Sequence, residues 1–316
     1  MARPIKTIGY IGLGNAGISM SSNLPKNGYH LVVHDLDAEK VQRATKWQNT
    51  TSATISGSYD PSAFEKCDAI ITMLAHGGIP GTIVVDTSSS SPFDTKKLGE
   101  ELASHKLILL DSPITQTYMH ATDDGRSTLM VGGSKEHFEL IKPVLSCMAT
   151  YIFHMGPLGS GHAMKTLNNY IMASSICALS DSLVTGQKYG LDPQQMIDCL
   201  NVGTGVNFPT MDTFRRDGLT RRFDSGFGLA LLVKDLGITE DFMRYSEFET
   251  QLPGVLRRYL SHSMDVIGEP RNKTADHTEC IRGWEERSGV ELNKTEKVRD
   301  IPQEDFEHRL AGLNRR

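Results

Sequence analysis

Short continuous apolar runs recur through the first half of the chain, separated by stretches in which apolar residues return every three or four positions. The runs are Ile8 to Ile11, Leu31 to His34, Asp68 to Leu74, Thr82 to Asp86 and Leu107 to Asp111, with further segments at 127–131 and 150–154. Runs without polar alternation suit central strands of a parallel sheet, which helices cover on both faces. Strand followed by helix, repeated, predicts an α/β first half. Shorter signals fit the same scheme: a helix start at Asp37-Ala-Glu-Lys and a capped helix from Asp60-Pro61 to Lys66. One connection departs from it. Only Ala75 to Thr82 separates two strands expected to be parallel, whereas a crossover needs about a dozen residues or more, so part of one sheet face is expected to be bare.

The pattern changes at the glycine cluster Gly156, Gly159 and Gly161. From His162, apolar residues at Met164, Leu167, Ile171, Ala178 and Leu179 predict a long helix to about Tyr189, stopped by Gly190. Asp192-Pro193-Gln-Gln195 restarts a helix with a carboxylate cap and a first-turn proline. Further helices are expected at 210–217, 230–245 and 253–266, and a surface helix or tail dense in both charge signs beyond about Glu291. The expected organisation is a doubly wound parallel sheet over 1–157, an all-α domain over 158–290 and a charged tail over 291–316.

Gly12-Leu13-Gly14-Asn15-Ala16-Gly17 follows the first run and opens a helical pattern. A Gly-x-Gly-x-x-Gly turn between strand and helix predicts a dinucleotide site of the Rossmann type. Gly12 makes the turn, Gly14 admits the phosphates and Gly17 lets the helix pack on the strand. Asp35, at the end of the second run, stands where a ribose diol is accepted; its charge would repel a 2′-phosphate, so NAD is expected over NADP.

Composition narrows the setting. The chain has 316 residues, long enough for two domains, and a net charge of −5, which argues against nucleic acid or an anionic membrane as partner. No apolar run reaches membrane-spanning length. Met1-Ala-Arg-Pro leads directly into the first strand, so no targeting peptide is expected. The five scattered cysteines fit a reduced, cytoplasmic protein, and no His, Cys and carboxylate set has metal-ligand spacing.

Candidate chemistry lies on two helices. Lys165, Asn168 and Asn169 share one helix face; from spacing alone this is either a solvated stripe or a polar site. Lys234 has Ala230, Leu231 and Ile238 around it, which places it on an apolar face, with Asp235 pointing elsewhere. His162 suits a capping or packing role or a substrate contact, and both stay open.

The motifs Gly12 to Gly17, Ile71-Thr-Met-Leu74, Val85-Asp-Thr-Ser-Ser89, Asp111-Ser-Pro113, Gly156-x-x-Gly159-x-Gly161-x-x-x-Lys165-x-x-x-Asn169 and Lys234-Asp-Leu-Gly237 occur in this order. Over roughly residues 6 to 280 they resemble the β-hydroxyacid dehydrogenase family, the 3-hydroxyisobutyrate dehydrogenases most closely. The resemblance implies an NAD-dependent oxidation of a small 3-hydroxy acid, with Lys165 as general acid/base and Asn169 orienting the hydroxyl, supported by Asn168. It places Met73, Leu74, Ser88, Ser89 and Lys234 at the cofactor, and it implies a homodimer or homotetramer. Where the family has small residues that receive the substrate carboxylate, this chain has Thr115-Gln116-Thr117, and Ser89 replaces a threonine. The larger residues narrow or re-polarise that pocket and leave the acid open. Relatives also carry a longer, helix-containing connection where Ala75 to Thr82 lies. The alternative is therefore a non-catalytic dinucleotide-binding protein or an inactive splice form.

Overall fold

The computed structural model describes residues 5–47, 51–72, 82–115 and 127–293. Met73, Leu74, Gln116, Thr117, the connection 75–81 and the tail from 294 lie outside the described residues. The chain divides into two units, the first made of Met1–Ile171 and Lys234–Gly254, the second of Met172–Val233 and Val255–Arg316.

Unit 1 is built on one sheet. Its strands are β1 (Thr7–Ile11), β2 (His30–His34), β3 (Ile55–Gly57), β4 (Ala69–Thr72), β5 (Ile83–Asp86), β6 (Ile108–Asp111), β7 (Ile114–Thr115), β8 (Ser127–Gly132) and β9 (Ala149–Gly156). The order is β3-β2-β1-β4-β5-β6-β8-β7, with β9 pairing β8. The six strands from β3 to β6 in this order are mutually parallel; five of them are the continuous apolar runs, while β3 is a short edge strand in a segment rich in Ser and Thr that reads as loop in the sequence. The path reverses between β1 and β4, and such a switch point opens a crevice at the carboxyl ends of the strands. β4 and β5 pair in parallel from Ala69↔Ile83 to Thr72↔Asp86. Beyond β6 the sheet is not uniformly parallel: β8 runs antiparallel to β6 and β7, and only then pairs parallel with β9.

Ile8, Tyr10, Leu31, Val33, Ile71, Val85, Leu110 and Leu129 form one buried core on this sheet. A smaller cluster of Phe64, Cys67 and Ile70 covers another part. The helices are α1 (Asn15–Lys26), α2 (Ala38–Thr45), α3 (Pro92–Ser104) and α4 (Lys135–Leu145). Asp37, Ser91 and Ser134 cap the last three by accepting first-turn N–H groups. The segment from Asp60 is a 3-10 helix, Pro61–Lys66, rather than an α-helix.

The long helix α5 (Ser160–Tyr189) begins in unit 1 and ends in unit 2. Gly190, at φ 104°, stops it: Leu191 N–H reaches back to the carbonyl of Gly186, a closure that needs the left-handed conformation. Unit 2 is otherwise helical, with α6 (Pro193–Val202), α7 (Phe208–Met211), the start of α8 (Leu229–Tyr245), most of α9 (Leu252–Ile267), and α10 (Ile281–Ser288). The helix expected at 210–217 is instead split into α7 and a π turn, Phe214–Gly218. Among the described residues no helix is long and apolar enough to cross a membrane.

Candidate functional site

Strand β1 delivers the chain to Gly12, whose φ of 98° only glycine adopts without strain. Its N–H donates to the His34 carbonyl at 2.9 Å, tying the turn to the end of β2. The buried Leu13 donates its N–H to Asp35 Oδ2 at 2.5 Å, and Asp37 donates to Asp35 Oδ1 at 2.8 Å. Partial burial pushes the Asp35 carboxyl up, but these N–H groups together with Lys40 and His34 hold it below the ordinary range. Each carboxylate oxygen retains a lone pair for a further donor.

Gly14 is the N-cap of α1, and no side chain caps the helix there. A Cβ on Gly14 would meet nothing within 4 Å, so open space adjoins a helix start whose first N–H groups, at Asn15, Ala16 and Gly17, have no intrahelical acceptor. Gly17 is buried, and its carbonyl accepts from Ser21 Oγ at 2.7 Å. A pyrophosphate at the helix start and a ribose diol at Asp35 fit this arrangement.

The second cluster gathers where β5 and β6 end. Asp111 is fully buried, and its two oxygens accept the N–H groups of Gly159 and His162, each at 2.7 Å. A carboxylate therefore caps the N-terminus of α5, where charge and helix dipole agree. The approach is tight: a Cβ on Gly161 would lie 2.1 Å from the Met130 carbonyl, and one on Gly132 2.3 Å from Asp111 Oδ1. The glycines of the Gly156 to Gly161 cluster thus serve this cap as well as the bend.

One turn into α5 lies Lys165. Part of its surface is open, yet burial of the ammonium draws its pKa from 10.5 down to about 8; Asp235 opposes the shift and Lys234 reinforces it. Asn169 is buried, and its Nδ2 donates to Asp235 Oδ2 at 2.6 Å, while Asn168 Nδ2 donates to Asn169 Oδ1 at 3.1 Å. Asp235 also receives Ser89 Oγ at 3.4 Å and lies 3.1 Å from Lys234 Nζ. Lys234 donates to the Ser89 carbonyl at 2.6 Å. Lys165, Asn168, Asn169, Ser88, Ser89 and Lys234 are thus brought together within unit 1. A cavity of about 300 Å³ opens beside them, lined by Ser89, Ser91, Lys234 and Ile238 among others. Thr115 is half-buried in β7, paired with Thr128 of β8.

Two expectations on α8 are reversed. Lys234, predicted on an apolar face, keeps 44% of its side chain exposed, whereas Asp235 keeps 2%. The buried stripe is Leu232, Asp235, Leu236 and Thr239, while Leu231 is exposed. Apolar identity at Leu231 misled the helical phase. The useful signal was the polar pair Asp235 and Thr239 at helical spacing with leucines. His162 is fully buried, which favours packing over substrate contact.

Comparison with known proteins bears on the fold and the family. The family model for the NAD binding domain of 6-phosphogluconate dehydrogenase matches residues 7–156, and that for the NAD-binding of NADP-dependent 3-hydroxyisobutyrate dehydrogenase matches residues 159–284. Mitochondrial 3-hydroxyisobutyrate dehydrogenase of Homo sapiens is 30% identical over 280 residues, covering 81% of this chain and 80% of its own. The 2-(hydroxymethyl)glutarate dehydrogenase of Eubacterium barkeri is 28% identical over 304 residues, covering 93% and 99%. A solved structure of Mycobacterium tuberculosis 3-hydroxyisobutyrate dehydrogenase with L-serine superposes with a TM-score of 0.76 at 26% identity, over 89% of this chain and 99% of that one. The chain belongs to the β-hydroxyacid dehydrogenase family of NAD(P)-dependent oxidoreductases, with an N-terminal Rossmann domain and a helical C-terminal domain.

Proposed function

We propose that the protein oxidises the hydroxyl of a small 3-hydroxy acid, with Lys165 as the general base. The observation that carries this reading is the placement of the Lys165 ammonium, desolvated one turn from Asn169 and within the field of Asp235 and Lys234, a setting that draws its pKa down to about 8. An ordinary lysine is protonated near neutrality and cannot accept a proton; one tuned toward the working pH can. Bound nicotinamide dinucleotide would supply the hydride acceptor. Lys165 takes the hydroxyl proton, and in the reverse direction returns it.

Asn169 orients the hydroxyl. One Nδ2 hydrogen is spent on Asp235 and the Oδ1 is held by Asn168, which fixes the amide and leaves its second N–H for substrate. Asp235 sets the electrostatic balance at Lys165 against Lys234. Gly12 to Gly17 hold the pyrophosphate, Asp35 the adenosine ribose, and Ser88, Ser89, Met73, Leu74 and Lys234 border the nicotinamide end. The preference for NAD over NADP rests on the Asp35 carboxylate. Thr115, Gln116 and Thr117 receive the carboxylate of the acid and set its identity. Residues 158–290 serve the substrate and a homodimeric or homotetrameric assembly, in the cytoplasm. The test is formation of reduced dinucleotide from NAD and a panel of 3-hydroxy acids. Turnover with at least one supports the reading; dinucleotide binding without turnover on any would replace it with a non-catalytic binding protein.

A further inference from the structure

We infer that His162 is a positioning residue that locks the Ser88–Ser89 turn against helix α5. The inference rests on the reading of Lys165 and Asn169 given above. His162 is fully buried, and three groups surround it in defined directions. Its backbone N–H is held by Asp111 Oδ2 at 2.7 Å, which fixes the start of the helix. Its Nδ1 lies 2.7 Å from Thr95 Oγ1 on α3, and its Nε2 lies 3.1 Å from the Ser88 carbonyl oxygen.

The Ser88 carbonyl can only accept, so Nε2 carries a hydrogen and donates it. That bond holds the turn after β5 to the helix that carries Lys165 and Asn169. The constraint continues through the turn: Ser88 N–H donates to Asp86 Oδ1 at 2.9 Å, Ser89 Oγ reaches Asp235, and the Ser89 carbonyl accepts from Lys234. Asp235 in turn holds Asn169. A closed path therefore runs from α5 at His162, through Ser88 and Ser89, to Asp235 and back to α5 at Asn169. Opening it at His162 frees the turn relative to the base. The pyrophosphate and ribose groups, at Gly12 to Gly17 and Asp35, are not part of the path.

The role predicts a split between binding and turnover. His162→Phe fills the ring's space but removes the donor. It should lower kcat by about 10- to 100-fold, the scale of a misplacement near 1 Å, while the dinucleotide Kd, set mainly at Gly12 to Gly17 and Asp35, rises by much less than kcat falls. His162→Gln keeps an N–H at the end of its side chain that can donate to Ser88, and should restore kcat to within about threefold. A Phe variant with wild-type kcat, or a Gln variant as impaired as Phe, overturns the proposal. Nitrogen NMR of ¹⁵N-histidine-labelled wild-type protein needs no variant to fold: a protonated Nε2 on His162 supports the bond, and an Nδ1-only tautomer overturns it. If wild-type protein turns over no hydroxy acid, the Lys165 reading fails, and the NMR result still decides whether His162 holds the turn.

Discussion

Replacing Asp111 by alanine removes the cap on which the start of α5 depends, and the structure sets the size of the loss. Two backbone N–H groups, of Gly159 and His162, point at a carboxylate with no exposed surface, each at 2.7 Å. A hydrogen bond to a charged group contributes about 1.5–3 kcal/mol, and truncation also strands both buried donors. Relief of the carboxylate's desolvation offsets part of this, which leaves an expected loss of about 3–4 kcal/mol, a large share of the ~5–15 kcal/mol that holds a domain folded. Distance alone would not predict this. Lys135 and Glu139 are also 2.7 Å apart, but both side chains are more than half exposed, and Glu139→Ala should leave the urea midpoint essentially where it is. Trp47 lies in unit 1 and Trp284 in unit 2, and they are the only tryptophans. In a Trp284→Phe background, urea unfolding followed by fluorescence therefore reports unit 1. At about 1–3 kcal/mol per molar urea, the Asp111→Ala midpoint should fall by roughly 1–4 M. A fall under about 0.3 M would refute the cap argument.

Three further outcomes follow from the same geometry. Asp35→Ala should reduce kcat/KM with NAD about tenfold or more, because the ribose diol loses its acceptor, while activity with NADP is unchanged or higher; equal losses with both cofactors would contradict the role of the charge. Asp235 raises the Lys165 pKa, so in Asp235→Asn the alkaline rise of kcat/KM should move to lower pH; a shift to higher pH would contradict the electrostatic assignment. His277 is buried beside Asp276 and Ser225, and burial lowers its pKa below 6.5. Its unfolded form binds a proton first as pH falls, so stability is lost below about pH 6.5. His277→Phe should flatten that decline in thermal melts between neutral and mildly acid pH, and an unchanged slope would rule the residue out.

What was legible in the sequence was local. The glycine fingerprint, the continuous strands, the caps at Asp37 and Asp192 and the glycine stop at Gly190 each need only neighbours in the chain, and each is found where the pattern placed it. The antiparallel β8 was not legible, because strand direction depends on where the chain returns rather than on residue type. The Asp111 cap joins residues 48 and 51 apart, so no periodicity marks it. On α8 the phase was misread because Leu231, an exposed leucine, looks the same in sequence as a buried one. Lys165 and Asn169 are visible in the sequence as a polar face, but Asp235, the polar partner that joins Asn169 to Ser89, is 66 residues away from Asn169 and carries no local signal of that contact.

The central claim is that Lys165 is the base, and the pH dependence of kcat/KM for hydroxy acid oxidation tests it most directly. With a pKa of about 8, the lysine is protonated and inactive well below that pH and neutral above it, so kcat/KM should rise with pH and level off past about 8. Lys165→Ala should lose about 10²- to 10⁴-fold in kcat and abolish the rise, with dinucleotide binding retained. A Lys165→Ala protein with wild-type turnover and the same pH profile would contradict the account.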